Sequence, residues 1–244
     1  MSYIIVIPAR LASTRLPEKP LVDIDGKSLI QRTYEQCLLA VPKDKVFVAT
    51  DADKIADHCK ALGMNVIMTS KNCLTGTDRV AEVSNTIEAD YYINVQGDEP
   101  LINPEDIKLI VKATEQYPNE IINGYTAIDT EEDYRSLTIP KVVFKPDGEL
   151  LYMSRAPIPG NKKNIFSKSW RQVCIYAFPK KALDAFTSVT EKTMLEEEED
   201  IEILRFLELG HKVRMLAMSN ESIAVDTPED IQKVLHRLEQ INAK

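Results

Sequence analysis

A chain of 244 residues, 44% hydrophobic and 28% charged, is long enough for one full domain and has an ordinary globular make-up. Its formal net charge of −8 argues against non-specific nucleic-acid binding, which needs a basic face. No apolar run approaches a membrane span, and no basic segment precedes an apolar one at the start, so neither a membrane partner nor a secretory signal is expected.

The four cysteines, Cys37, Cys59, Cys73 and Cys174, have no paired spacing and read as reduced thiols of a cytoplasmic protein. His58, His211 and His236 are too few and too dispersed for a zinc site. The run Tyr3-Ile4-Ile5-Val6-Ile7, mostly β-branched, predicts a buried parallel strand. It leads into a proline-bounded loop, Pro8 to Lys19, that carries Arg10, Arg15 and Lys19 with Glu18 as its one carboxylate. A positive loop at the carboxyl end of the first strand of an open α/β sheet is where such folds place anionic ligands. Ser13, Thr14 and free backbone amides add donors for phosphate oxygens. An ordinary solvated loop is the competing reading.

A turn at Asp25-Gly26 is followed by Ser28, which caps a helix with Leu29, Ile30, Cys37 and Leu38 on its buried side. Lys45 to Thr50 predicts a strand, Asp51 the start of a helix with Ile55, Cys59 and Leu62 at helical spacing, and Met64 to Met68 a further strand. This alternation implies parallel pairing with right-handed crossovers. Thr75-Gly76-Thr77-Asp78-Arg79 opens the next helix: Gly76 allows close backbone approach, Thr77 or Asp78 can cap, and the turn is either a plain helix start or a base- or phosphate-binding element. Tyr91 to Val95 is a strand ending in Gln96-Gly97-Asp98-Glu99-Pro100. Asp98 just past it is the best candidate for a Mg²⁺ ligand, since Mg²⁺ favours one or two carboxylates plus substrate phosphates. Pro104 opens a helix that runs through Tyr117.

From about Ile121 to Phe178 strand-like runs crowd together, with a hairpin turn at Pro146-Asp147-Gly148; this predicts a β-rich insertion suited to an oligomer interface. Within it, Arg155 can hold a carboxylate bidentately. The acidic run Glu196 to Asp200 reads as a helical first turn favoured by the macrodipole. Ile201, Leu204 and Leu207 then bury a helix face ending at Gly210, and Val213 to Met218 is a strand. Thr227, Pro228 and Asp230 make a strong helix start, which leaves Asp226 as a second carboxylate at a strand end.

Five runs, taken in order, carry a family resemblance: Ile7-Pro8-Ala9-Arg10 through Lys19-Pro20-Leu21; Thr75 to Arg79; Asn94 to Pro100; Ser154-Arg155-Ala156; and Val225 to Asp230. The first is similar to the signature loop of sugar nucleotidyltransferases, and together they resemble the 3-deoxy-manno-octulosonate cytidylyltransferase (CMP-Kdo synthetase) family over essentially the whole chain. That resemblance implies a single Rossmann-like α/β nucleotidyltransferase domain with helices on both faces and a dimerisation part near residues 121–178. It also implies a cytoplasmic homodimer and transfer from CTP to a 2-keto-3-deoxy sugar acid for lipopolysaccharide or capsule. By resemblance, Arg10, Arg15 and Lys19 hold the triphosphate, with Arg15, Lys19 and Asp98 central to catalysis. Ala9, Thr75, Gly76 and Gln96 lie around the cytidine. Asp98 and Asp226 bind Mg²⁺, and Arg155, Tyr176 and Glu202 line the sugar pocket.

Three positions depart from the family pattern. Glu18 stands where the family usually has glycine and adds a negative charge near the phosphates. Gln172 replaces an expected sugar-contacting histidine, and Ile203 an expected glutamine. An 8-amino-Kdo or a sialic-type acceptor therefore stays open, as does a catalytically idle nucleotide-binding protein on the same fold. Asp51-Ala52-Asp53 matches a glycosyltransferase-like Asp-x-Asp only formally, because helix capping accounts for it.

Overall fold

The structure, a computed structural model, describes residues 1–13 and 15–242; Thr14, counted above among the loop hydroxyls, lies outside them. Strand β1 (Tyr3–Ala9) is followed by the cationic loop, a small hairpin of β2 (Asp23–Ile24) and β3 (Lys27–Ser28), and helix α1 (Leu29–Ala40). Next come β4 (Val46–Thr50), α2 (Asp53–Ala61), β5 (Val66–Met68), α3 (Gly76–Ser84), β6 (Tyr91–Val95) and α4 (Pro104–Gln116). The second half runs β7 (Ile121–Ala127), α5 (Glu131–Arg135), β8 (Lys141–Phe144), β9 (Leu150–Ser154), β10 (Trp170–Pro179), α6 (Lys180–Thr187), α7 (Met194–Glu199), α8 (Ile203–Glu208), β11 (Val213–Ala217) and α9 (Pro228–Asn242).

One mixed sheet has the order β11-β7-β10-β6-β1-β4-β5. β1 pairs in parallel with β4 and β6, β4 with β5, and β7 with β11. The unbroken apolar run of β1 follows from burial on both faces. Ile5 and Ile7 pack with α1, α2 and α4 on one side, while Ile4 and Val6 pack with α3, α6 and α8 on the other. β10 runs antiparallel between β6 and β7, which brings its first half beside the carboxyl end of β6, with Ile175 opposite Val95 and Tyr176 opposite Asn94. Within residues 121–178, β7 and β10 thus belong to the main sheet, and the β8–β9 hairpin is the part off its path. A third apolar cluster, Leu16, Ile24, Leu29, Leu101, Val225 and Val234, packs the cationic loop and α9 together.

Several local expectations shift. Leu38 and Leu62 are 37% and 44% exposed, at the edges of their helix faces. Asp51 does not start α2: Ala52 is its N-cap, and the Asp51 carboxylate instead pairs with Arg79 Nη2 at 3.3 Å. α3 is capped by Thr75 rather than Thr77 or Asp78, with Asp78 closing a capping box. Among the described residues, no helix is long and apolar enough to cross a membrane.

The acidic run is more than a favourable first turn. Glu196 is buried and holds Arg205 bidentately at 2.5 and 2.8 Å, while the guanidinium lies 3.8 Å from the Phe186 ring centroid. Removing one partner of such a pair leaves a desolvated charge. Glu196→Ala is therefore expected to lower stability by about 3–5 kcal/mol. The double replacement Glu196→Leu/Arg205→Met should recover much of the loss. Urea unfolding of both variants checks this, and equal midpoints for Glu196→Ala and wild type would contradict it.

Candidate active site

A cleft of about 1000 Å³ lies at the carboxyl ends of β1 and β6. At its middle the Lys19 ammonium donates to Asp98 Oδ2 at 2.6 Å and to Asp226 Oδ1 at 3.0 Å, and Arg15 Nη2 lies 3.1 Å from the same Asp226 oxygen. Burial opposes the charge on Lys19, but the two carboxylates outweigh it and hold the ammonium above its ordinary range. Arg10 is exposed at the rim, without an ion-pair partner among the described residues.

Local geometry explains the placement. Lys19 opens a short 3₁₀ turn whose Pro20 is buried, and the preceding Glu18 adopts the left-handed conformation at φ 54°. That conformation favours glycine, which accounts for the residue expected there. The Glu18 side chain does not add its charge to the cleft: it turns to Lys54 on α2, with both carboxylate oxygens within 2.7 Å of the ammonium. After β6, a Cβ on Gly97 would stand 2.8 Å from the Pro8 carbonyl oxygen and 3.2 Å from Ile30 Cδ1, so the close backbone approach is here. At Gly76 an added Cβ would meet nothing closer than 3.5 Å. The Asp98 carbonyl accepts from Val225 N at 2.9 Å, which sets Asp98 and Asp226 side by side. Next to them Glu99 is buried against the Ser222 hydroxyl, and burial together with the Asp98 charge pushes its carboxyl up to about 7.

Ala9, Thr75, Gly76 and Gln96 line the same cleft, with Gly76 beside the Gln96 side chain. Three amides at the start of α3 are already taken: Thr75 N by Asp78 Oδ2 (2.9 Å), Asp78 N by Thr75 Oγ1 (3.2 Å) and Thr77 N by Glu202 Oε2 (3.1 Å). That turn suits a base better than a phosphate.

Gln172, Tyr176, Glu202 and Arg155 also line the cleft, and Glu202 adjoins the start of α3 through Thr77 N. A bulge between Val173 and Tyr176 is held by Asn123 Nδ2, which donates to the carbonyls of Val173 (3.0 Å) and Ile175 (2.8 Å). Gln172 Nε2 donates to Asn123 Oδ1 at 3.3 Å. Burial, then the neighbouring Cys174 and Glu202, push the Tyr176 phenol well above its ordinary value. Burial also raises the Glu202 carboxyl, against hydrogen bonds from Thr77 and Thr75.

Arg155 donates to the backbone carbonyls of Glu199 (2.6 Å), Asp200 (3.1 Å), Leu137 (3.2 Å) and Thr138 (3.4 Å). Glu199, which the sequence reading placed in an acidic first helical turn, accepts from Ser154 Oγ (2.5 Å), Arg155 N (2.7 Å) and the Tyr152 hydroxyl (3.2 Å). Burial works against its charge, yet these donors hold the carboxyl below its ordinary value. Fully buried Lys141 donates to the carbonyls of Ser136 (2.7 Å), Ile139 (2.8 Å) and Arg155.

Every site residue singled out from the sequence lines this one cleft, from Ala9, Arg10, Arg15 and Lys19 through Thr75, Gly76, Gln96 and Asp98 to Arg155, Gln172, Tyr176, Glu202 and Asp226. Ile203 joins them, buried. Sequence reasoning missed the support given by Glu199 and Lys141, and the presence of Lys192 and Asp200 in the wall. The acidic run was the one available signal. Among the described residues no three His, Cys, Asp or Glu side chains cluster to hold a metal. Two carboxylates converging on one ammonium do make a point where a cation fits, and two suffice for Mg²⁺ completed by phosphates.

An open α/β sheet with this cleft defines a nucleotidyltransferase fold, and comparison with known proteins agrees. A solved CMP:2-keto-3-deoxy-manno-octonic acid synthetase complexed with CTP superposes with a TM-score of 0.92 at 35% identity, over 98% of this chain and 99% of that one. The 3-deoxy-manno-octulosonate cytidylyltransferase of Chloroherpeton thalassium is 42% identical over 96% of both chains. The 8-amino-3,8-dideoxy-manno-octulosonate cytidylyltransferase of Shewanella frigidimarina is 38% identical over 98% of this chain and 99% of its own. The profile of the Cytidylyltransferase family matches residues 4–217. The chain belongs to the cytidylyltransferase family.

Two thiols face the cleft, in surroundings that disfavour the thiolate. Burial and Glu82 push Cys73 up to about 12, and burial with Glu99 and Asp98 pushes Cys174 up to about 12. Both are expected to stay unlabelled by iodoacetamide at pH 7.5 under conditions that alkylate free glutathione. Mass spectrometry reads this, and rapid labelling of either in the folded protein contradicts the assignment.

Proposed function

We propose that the chain transfers the cytidylyl group of CTP to the anomeric hydroxyl of 3-deoxy-D-manno-octulosonate, giving CMP-Kdo and diphosphate. The carrying observation is the knot of Arg15, Lys19, Asp98 and Asp226 in the cleft, in a chain 42% identical to a relative of that name. In the reaction the anomeric oxygen forms a bond to the α-phosphorus. The bond from that phosphorus to the β-phosphate oxygen breaks, its electron pair leaves with diphosphate, and the anomeric proton is lost. Such transfer needs placement and charge neutralisation rather than a covalent intermediate.

Arg10, Arg15 and Lys19 oppose the triphosphate, which carries about four negative charges, each close pair contributing on the order of 1–4 kcal/mol at intermediate dielectric. Ala9, Thr75, Gly76 and Gln96 hold the cytosine and ribose. Gln172, Tyr176 and Glu202 orient the sugar, and Arg155 fixes the wall beside them. Asp98 and Asp226 would hold Mg²⁺, which when bound supplies further neutralisation at the phosphates.

We further propose a cytoplasmic homodimer whose product feeds lipopolysaccharide or capsule. Segment 121–178 supports the dimer, since it carries exposed Leu137, Leu151 and Ile165. Light scattering should give twice the chain mass, and a monomer at micromolar concentration contradicts it.

Diphosphate release with Mg²⁺, crossing CTP, UTP, ATP and GTP against Kdo, 8-amino-Kdo and N-acetylneuraminate, tests the reading. Release is expected with CTP and Kdo; release with another acid alone reassigns the acceptor, and none with any pair contradicts the activity. Asp98→Ala should abolish turnover while leaving the circular dichroism unchanged, and wild-type rates in that variant would sink the magnesium assignment.

A further inference from the structure

Asp226 reaches the knot from a stretch with no regular structure of its own. Between β11 and α9 the chain runs as an irregular strap. Its main chain is pinned at two points: Met218 N donates to the Tyr125 carbonyl at 2.8 Å, and Val225 N to the Asp98 carbonyl at 2.9 Å. Among the described residues, no hydrogen bond between main-chain groups involves positions 219–224.

Side chains hold the strap instead. Asp106 in the first turn of α4 is 9% exposed, and it accepts from the Ser219 amide with both carboxylate oxygens at 3.1 Å and from the Ser219 hydroxyl at 2.6 Å. Further along, Asn220 Oδ1 accepts from Arg171 Nη2 at 2.6 Å, and the Ser222 hydroxyl donates to buried Glu99. The use of Asp106 is not one that its helix requires. Asp78 and Asp230 hold the same third position in α3 and α9, and they turn back to the amide just before their own helix, Thr75 N at 2.9 Å and Thr227 N at 3.0 Å. Asp106 reaches across to the strap.

We propose that Asp106 is a positioning residue for Asp226: by holding Ser219 it fixes the path of the strap, and so the place of the Asp226 carboxylate beside Asp98 and Lys19. The proposal rests on the function above, which gives Asp226 its part in holding Mg²⁺, and extends it to a carboxylate outside the cleft lining. The bonds are charge-assisted, roughly twice as strong as neutral ones, and they act where the main chain has no other hold. Asp226 Oδ1 meets both Lys19 at 3.0 Å and Arg15 at 3.1 Å, so a displaced strap loses both contacts at once.

Calorimetry on the full chain tests this. An α,β-methylene analogue of CTP is titrated in saturating Mg²⁺ and again in EDTA, and the ratio of the two affinities reports how well the carboxylates hold the cation. Asp106→Ala should lower that ratio by about ten- to a hundredfold, the scale of a misplacement of about 1 Å. Asp106→Asn keeps an acceptor for the Ser219 amide and should recover part of it. Ser219→Ala removes the hydroxyl alone and should lower the ratio less. The double variant Asp106→Ala/Ser219→Ala should do no worse than Asp106→Ala. Wild-type ratios in both Asp106→Ala and Ser219→Ala overturn the proposal and leave the function standing. Equal losses in Mg²⁺ and in EDTA mark a general structural role and also overturn it. A wild-type affinity that is the same with and without Mg²⁺ overturns the metal assignment and this proposal together.

Discussion

One ammonium between two carboxylates organises this molecule. Lys19 lies 79 residues from Asp98 and 207 from Asp226, yet it bonds both. Burial alone would disfavour its charge, and without it two neighbouring carboxylates would repel. The contact fixes the loop after β1 against the loop after β6 and both against the segment before α9. The surrounding structure serves that convergence. Gly97 lets the β6 loop press onto the Pro8 carbonyl, Val225 N ties to the Asp98 carbonyl, and the Leu16–Leu29–Val225–Val234 cluster seals the base.

The cleft's two walls are built by different means. The wall proposed to take the nucleotide comes from loops after β1 and β6 and from the capped start of α3, as an open α/β sheet provides. The wall proposed to take the sugar needs a strand running the other way. β10 enters antiparallel between β6 and β7, and its Asn123-stapled bulge lies where Gln172, Cys174 and Tyr176 reach the cleft. Behind it Lys141, Arg155 and Glu199 lock β9 to α7 through backbone carbonyls and amides. A wall held by main-chain bonds is rigid, and its reactive ends are the few side chains not enlisted in holding it.

Much of this was legible in the chain. Short runs rich in β-branched and aromatic residues gave β1, β6, β7 and β8 nearly to the residue, because their length and composition favour a strand over a helix. The site residues were legible because turn chemistry and charge gather at strand ends. Long-range pairing was not. Asp51 looks like a cap but meets Arg79, since a salt bridge across the fold leaves no local trace. Glu196 and Glu199 sat within an acidic run that reads as a first helical turn suited to the macrodipole, and their contacts with Arg205 and Arg155 are decided by tertiary packing alone. Glu18 was counted against the phosphates because spacing cannot show that a left-handed residue points its side chain at Lys54.

The central claim is that the cleft joins a sugar oxygen to the α-phosphorus of CTP. Kdo carrying ¹⁸O at its anomeric hydroxyl, turned over with CTP and Mg²⁺, tests it most directly by mass spectrometry of the nucleotide product. Retention of the label in the bridge of CMP-Kdo is the result the account predicts, while a CMP-sugar without the label places the bond cleavage at the sugar carbon and contradicts it.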